Sequence, residues 1–598
     1  MNLINRIQKN TKGFSKAIIR FPLTTVFLLV AAILNAMMID NYNLNYENYL
    51  LALALGTLIS VVFQLSYERY YTKFNERIIS IVITIIITLV YYFLFLKESN
   101  IGSEIGIKTM VIMFALFIAI LWVPSIKSVV TFNETFMAGF KAFFTSLFYS
   151  AVIMLGLVLI FAATDTLLFD VSEDIYAHTA NIVFVLFSSL YFLSLIPYYP
   201  GKKDFDEGQL LVNEMLDEIE KPTSTPKFLE ILISYILIPL ASIFTLILLI
   251  YIVINITGSF WKDDLLEVML VSYIVVVIII YILSSRLDNN FAVGFRKVFP
   301  KILVFIVLFQ TVNSIMRIGI RGLTYGRYYV ILFGIFALIS GVMFSIRSVE
   351  KNGIVPMVLI ICIGISVFPY IDAFSISKRS QISVFENTLK DNDMLVNGVI
   401  IPNSDLDDSS KETIIESLQY LYSLDYVKDI EWLDEDFEYY NDFEDVFGFS
   451  QYDIPTRYDN SIDLYTDLDT ALDISGYDFF IQTYLNYAYN EDYSSNNNSY
   501  EINYEGNIYN LVIEDTEKDL LISVVNQDDK ALIEITANDL INKYMNNEYN
   551  NNLTISEAET VYENSEVSVK IIIQNLFIYD IEDDYSVNGS VYIMVKLK

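Results

Sequence analysis

Sulfur and imidazole are almost missing from this sequence: there is one cysteine, Cys362, and one histidine, His178, in 598 residues. One thiol can close no disulfide within the chain and build no thiolate metal cage. One imidazole excludes HExxH zinc sites and every Ser-His or Cys-His pair that does not pass through His178. No P-loop, dinucleotide fingerprint or nucleophile elbow stands in a supporting context, so no cofactor is expected. Positive charge is also scarce in one place. Residues 374–598 hold 46 Asp+Glu against 12 Lys+Arg, a net of −34, whereas residues 1–373 hold 25 acids and 26 bases. A domain so acidic repels nucleic acid and anionic lipid. It is compatible with a cationic ligand, a basic envelope protein or plain solubility.

What is abundant is apolar sequence. Hydrophobic residues make up 54% of the chain, and they are concentrated in runs that recur through the first 373 residues and then stop. The runs fall at 22–39, 49–65, 78–96, 109–123, 142–163, 181–199, 231–256, 268–285, 302–320, 328–346 and 354–373. A helix rising about 1.5 Å per residue needs roughly 20 such residues to cross about 30 Å of hydrocarbon. The expected fold is therefore a polytopic α-helical membrane bundle of about 11 transmembrane helices (1–373), followed by an acidic α+β extracytoplasmic domain (374–598). Lys and Arg set the orientation. The connections 1–21, 66–77, 124–141, 200–227, 286–301 and 347–353 carry 20 basic residues and the alternate set about six, which places the N-terminus in the cytoplasm. The basic start running into residues 22–39 reads as a signal anchor.

Connection 200–227 carries Leu210, Leu211, Met215, Leu216 and Ile219 at helical spacing before Pro222 and Pro226, an expected surface helix and hinge. In the acidic domain, Glu412–Leu424 and Asn538–Met545 read as helices. Tyr500–Ile513, Leu520–Val525, Ala531–Ile535, Val567–Ile578 and Val587–Leu597 read as strands.

Four groups of residues are candidate sites. Arg317, Arg321 and Arg327 stand on the side poor in basic residues. With Gly319, Gly322 and Gly326 allowing a close turn, their guanidiniums are expected to converge and dock the acidic domain or bind an anion. Asp170, Asp174 and His178, spaced i, i+4 and i+8, would share one helical face and offer two carboxylates and an imidazole to a divalent metal. Asp40, after the first span, stands where enzymes of lipid-linked substrates keep a carboxylate. Asp405/Asp407/Asp408 and Asp463/Asp467/Asp469/Asp473 resemble fragments of calcium loops without the glycine and terminal glutamate of an EF-hand.

Three segments carry a family resemblance: Phe192–Pro197 (FLSLIP), Arg317–Val330 (RIGIRGLTYGRYYV) and Ser375–Leu395 (SISKRSQISVFENTLKDNDML). The chain resembles bacterial membrane proteins of domain-of-unknown-function family 4153, related to family 4173, and the ISGYD stretch at Ile474–Asp478 is similar too. The resemblance implies a polytopic bacterial membrane protein with a C-terminal part outside the cytoplasm. It implies no reaction. The reading is then a non-enzymatic cell-membrane protein that binds or senses something outside, with membrane lipid and an envelope protein or cationic ligand as partners and no nucleic acid. The alternatives are a transporter or flippase component, with Asn35, Gln64, Glu230, Gln310 and Asn313 as its polar trace, and a lipid-linked-substrate enzyme acting through Asp40.

Overall fold

The computed structural model describes residues 14–97, 104–255, 265–434, 437–452, 461–466, 472–487, 498–516, 519–528, 530–545, 552–581 and 584–598. Among them ten helices are long and apolar enough to cross a membrane, and a shorter apolar helix, Met269–Leu283, stands in the series. The spanning series is α1 Pro22–Asp40, α2 Glu47–Tyr70, α3 Phe74–Leu96, α4 Glu104–Ser125, α5 Phe132–Leu167, α6 Glu173–Leu195, α7 Lys227–Ile254, α8 Leu265–Leu283, α9 Asn290–Arg321, α10 Tyr325–Ile346 and α11 Val349–Val367. Each apolar run read from the sequence finds its helix here.

These helices invert the burial of a water-soluble protein. On α3, Ile78, Ile79, Val82 and Ile86 are exposed, whereas Thr84 and Thr88 are buried. Each threonine hydroxyl donates to the carbonyl four residues earlier, at 2.9 Å, so no polar group is left unpaired there. Isoleucine outward and threonine inward costs free energy in water and none in hydrocarbon, where the outer face is as apolar as its solvent. In α7, residues Leu232–Leu237 widen into a π-helical segment just before Pro239. Pro239 has no N–H for the carbonyl of Tyr235, and the wider turn accommodates that gap.

The six basic connections meet at one end of the bundle. Arg20 pairs bidentately with Glu68, at 2.9 and 2.8 Å, and also donates to the carbonyls of Ile196 and Pro197. Arg69 donates to the carbonyls of Ile126, Lys127 and Pro200. Lys141 reaches the Ser224 carbonyl at 2.7 Å, Arg286 pairs with Glu134 at 3.0 Å, and Asn133 donates to the Val349 carbonyl at 2.9 Å. Alternate connections sharing one end is what an up-and-down series of spans requires. The surface helix expected in connection 200–227 runs Gln209–Thr223 and buries Val212 and Ile219.

The chain divides into two compact units, 1–449 and 450–598. Charge changes at residue 374, but packing changes about 75 residues later. The intervening stretch forms α12 Ala373–Asp391, the hairpin β1 Leu395–Val396 and β2 Val399–Ile400, α13 Asp408–Ser423 and α14 Tyr439–Phe447. An aromatic core of Phe385, Trp432, Phe443 and Phe447 joins α12 to α14.

The second unit contains β3 Ser461–Thr466, β4 Phe479–Tyr487, β5 Asn498–Tyr504, β6 Asn507–Asp515, β7 Leu520–Val525, β8 Ala531–Thr536, α15 Ala537–Met545, β9 Asn552–Leu553, β10 Glu559–Glu563, β11 Val567–Ile581 and β12 Asp584–Leu597. One sheet has the order β4-β12-β11-β3-β9 with β10 also on β11, and the other is β5-β6-β7-β8. Buried side chains of both sheets and of α15, among them Leu485, Ile593, Ile522 and Ile541, share one core. The run read as one strand, Tyr500–Ile513, is a hairpin turned at Glu505-Gly506, where both residues have positive φ.

Candidate functional site

Helix α9 ends at Arg321 because Gly322 takes φ +71°, a left-handed conformation that glycine enters without steric cost. The chain then passes Leu323 and is recapped at Thr324, whose hydroxyl accepts from the Arg327 N–H at 3.3 Å to start α10. Against this corner lies α12. The Gln381 amide donates to the Arg321 carbonyl at 3.0 Å, and the Leu323 N–H donates to Ser380 Oγ at 2.9 Å. The Tyr325 ring stacks on Phe374 at 4.9 Å, and its N–H donates to Tyr420 Oη at 3.0 Å. Two segments singled out in the sequence, Arg317–Val330 and Ser375–Leu395, are thus contacting halves of one joint.

Arg321 reaches past the joint to α13, with Nη2 2.9 Å from Glu412 and Nη1 3.4 Å from Glu416. Arg327 turns the other way and donates to the Gly322 carbonyl at 3.2 Å, closing the C-terminus of α9. Arg317 lies on α9, and its side chain falls outside the described residues. Where three converging guanidiniums are expected, Arg321 is placed on carboxylates and Arg327 on backbone.

A second set of charges completes the collar. Lys108, one turn into α4, pairs with Asp372 at 2.8 Å and with Glu104. Asp372 is buried and caps α12, accepting from the N–H groups of Phe374 and Ser375 and from Ser375 Oγ at 2.6 Å. Burial alone would raise its carboxyl, but the Lys108 ammonium and the Ser375 donors outweigh it and hold the group below the ordinary aspartate range. Tyr426 donates to Glu104 at 2.6 Å, and burial, with that carboxylate beside it, pushes the phenol well up. Lys378 pairs with Asp429 and sits 4.7 Å over the Tyr426 ring. The sequence reading begins this span at residue 109 and so takes Lys108 for a loop residue. The i, i+4 spacing of Glu104 and Lys108 was the available signal.

Asp170, Asp174 and His178 do not form the expected face. The helix starts only at Glu173, with Ser172 as its N-cap, so Asp170 precedes it in irregular chain. Asp174 accepts from Tyr42 at 3.3 Å, and His178 Nε2 lies 2.9 Å from Asp40 Oδ1. These pairs tie the α1–α2 connection to α6. No group of three metal-ligating side chains comes together among the described residues. Asp407 caps α13 through the Ser410 N–H, and Asp473 accepts from the Ser475 N–H. Asp467 and Asp469 lie outside the described residues.

In α9, Gln310 and Asn313 are buried, and among the described residues both amide atoms of Gln310 and Oδ1 of Asn313 have no hydrogen-bond partner.

Helices with lipid-compatible outer faces, basic connections gathered at one end and a polar collar at the α9–α10 corner define a polytopic α-helical membrane protein. The family model described as Domain of unknown function (DUF4153) matches residues 25–400, more than half of the chain, and the chain belongs to that family. The match covers the spanning helices and α12 and ends before α13. No curated protein and no solved structure matches the chain.

Proposed function

We propose that the chain is a non-enzymatic bacterial cell-membrane protein that binds or senses a ligand outside the cytoplasm through residues 374–598, with the helical half as its anchor. In this reading the collar faces outward and the arginine-stapled end lies in the cytoplasm, as the basic connections require. The observation that carries it is the collar itself. Ion pairs from Lys108 and Arg321, with the Gln381, Ser380 and Tyr420 hydrogen bonds, join α12 and α13 to three spanning helices. A joint of several charge-assisted contacts suits an element that must stay seated, and one able to pass a displacement into the bundle. The pairing of Arg321 with two glutamates favours docking over capture of an anion.

The test compares the complete chain with one ending at Phe449, both in lipid vesicles, for retention of components from a solubilised envelope fraction. Saturable retention by the complete chain alone is expected. Equal retention by both excludes residues 450–598 as the binding part, and retention that also survives ending the chain at Ile371 overturns the reading.

The unpartnered amides of α9 favour a second reading, a transporter component. A buried amide without partners in hydrocarbon costs several kcal/mol, and a polar solute passing through would supply them. Solute flux in vesicles that falls with Gln310→Leu would establish it, and flux unchanged by that substitution would remove it.

A further inference from the structure

One face of the six-stranded sheet is committed to the core, and the other is covered only at one end, over Ile572 and Met594. On β4 the alternation is plain: Thr483, Leu485 and Tyr487 are buried, whereas Phe480, Gln482, Tyr484 and Asn486 are exposed. Strand register extends the outer row. Asn486, Tyr484 and Gln482 lie opposite Asn588, Ser590 and Tyr592 of β12. Beyond the bulge at Ile573/Asn575, Asn588 and Ser590 lie opposite Phe577 and Asn575 of β11, and these lie opposite Asp463 and Tyr465 of β3. Residues paired in register project to the same side.

This face therefore carries rings separated by amides. Phe480 and Tyr592 pair at 5.2 Å, and Tyr465 and Phe577 pair edge-to-face at 5.6 Å. Between the pairs, Tyr484 donates to Asn588, and Gln482 donates to Gln574 at 3.2 Å. Phe480 and Tyr484 are each 46% exposed and Tyr465 41%, so large apolar area stays in water although the opposite face has filled a core. Tyr465 and Tyr484 lie on one line across the strands, three strand spacings or roughly 14 Å apart. Around Tyr465, Tyr484 and Asn588 the charged residue among the described ones is Asp463; at the far end of the same face, past Met594, stand Lys570, paired with Glu559 at 3.0 Å, and the exposed Lys596.

We propose that this face binds an uncharged glycan chain lying across the strands. The axial C–H faces of pyranose rings are apolar and flat enough to stack on Tyr465, Tyr484 and the Phe480–Tyr592 pair. Equatorial hydroxyls are donor–acceptor groups that the planar amides of Gln482, Asn486 and Asn588 match. Charge decides among ligands with flat faces. Nucleic acid bases would stack equally well, but their phosphates would meet a unit, 450–598, of 28 acids against 7 bases, in which Lys570 is already paired with Glu559, and anionic lipid meets the same repulsion. A neutral polyol meets none. The inference rests on the external-binding reading and gives it a ligand class. It also lies beyond the residues that the family model matches.

The complete chain in lipid nanodiscs is titrated by calorimetry with the hexamer of β-1,4-linked N-acetylglucosamine and with cellohexaose. Saturable binding that changes little between low and high salt is expected for at least one. Tyr465→Ala and Tyr484→Ala should each weaken it by about tenfold, and Tyr440→Ala, an exposed tyrosine of the first unit, should leave it unchanged. Should Tyr484→Ala lower the unfolding temperature, Gln482→Ala replaces it. The absence of saturable heat with both sugars overturns the proposal, and so does binding that survives the Tyr465/Tyr484 double substitution. A protein from the envelope fraction retained through Tyr484 without sugar binding overturns the glycan class but leaves the external-binding reading standing. Failure of that fraction to distinguish the complete chain from the one ending at Phe449 removes the glycan proposal together with any external binding by residues 450–598.

Discussion

At the scale of single residues, the collar depends on where a charge is buried rather than on how many charges there are. Arg321 and its two glutamates are each about a third exposed, and pairs of that kind contribute roughly 0–1 kcal/mol. Asp372 differs because its side chain is 1% exposed and its cation is Lys108. Lys108→Met leaves a buried carboxylate with only hydroxyl and amide donors, and a loss of about 3 kcal/mol is expected, read as a fall in unfolding temperature of the detergent-solubilised chain. The double variant Lys108→Met/Asp372→Asn should recover most of it, since an amide needs no counter-charge. The pH dependence has a definite sign. A carboxyl depressed in the folded state adds stability above its unfolded value, about 3.9, and loses it as pH falls through the lower folded value. Acid titration of the wild type should loosen the collar only below about pH 4, and Asp372→Asn should flatten that part of the curve.

At the scale of elements, the α9–α10 corner is set by one backbone conformation. A Cβ at Gly322 would meet Gln381 Nε2 at 2.9 Å and Val384 at 3.0 Å, and φ +71° would strain any other residue. Gly322→Ala is expected to cost about 1–3 kcal/mol through backbone strain. It should also speed proteolysis of α12 and α13, because the Gln381 bond to the Arg321 carbonyl must shift. Wild-type cleavage rates in that variant would show that the corner does not hold the collar. Elements also differ in how far the sequence exposed them. Spanning helices were legible because their signal is simple length of apolar chain. The π-helical segment in α7 was not, although Pro239 was visible, because a proline tells where a hydrogen bond fails and not how the helix absorbs it. Helix α14 hid in a stretch dense with Asp and Tyr. Its buried Tyr439, Phe443 and Phe447 stand at i, i+4 and i+8, a periodicity masked by the acids between them. The Tyr500–Ile513 run concealed a hairpin because Glu505-Gly506 is a short break in an otherwise uniform β pattern.

At the scale of the whole molecule, reporter fusions at Gln209 and Asn496 should lie on opposite sides of the membrane, and two reporters on one side would overturn the odd number of spans. Residues 450–598 expressed alone should unfold cooperatively, with chelator present and no disulfide, because the two sheets and α15 share a core of their own. A molten product would show that this core is completed elsewhere. Sequence alone determined the lipid-embedded class, the alternation of the connections and the acidity of the C-terminal part. These follow from sums over runs of residues, and hydrocarbon thickness and charge act on such sums whatever the detailed packing. Tertiary structure decided the rest: that Lys108 serves Asp372, that Arg327 caps a helix while Arg321 meets glutamates, that Asp170 falls outside the helix of Asp174 and His178, and that five rings line one sheet face. The Lys108 and Arg321 pairs and the ring-bearing face depend on partners far apart in the chain, where burial and direction of a side chain are set by the fold, whereas the Arg327 bond to Gly322 and the Ser172 cap that leaves Asp170 outside are local and turn on where a helix stops or starts.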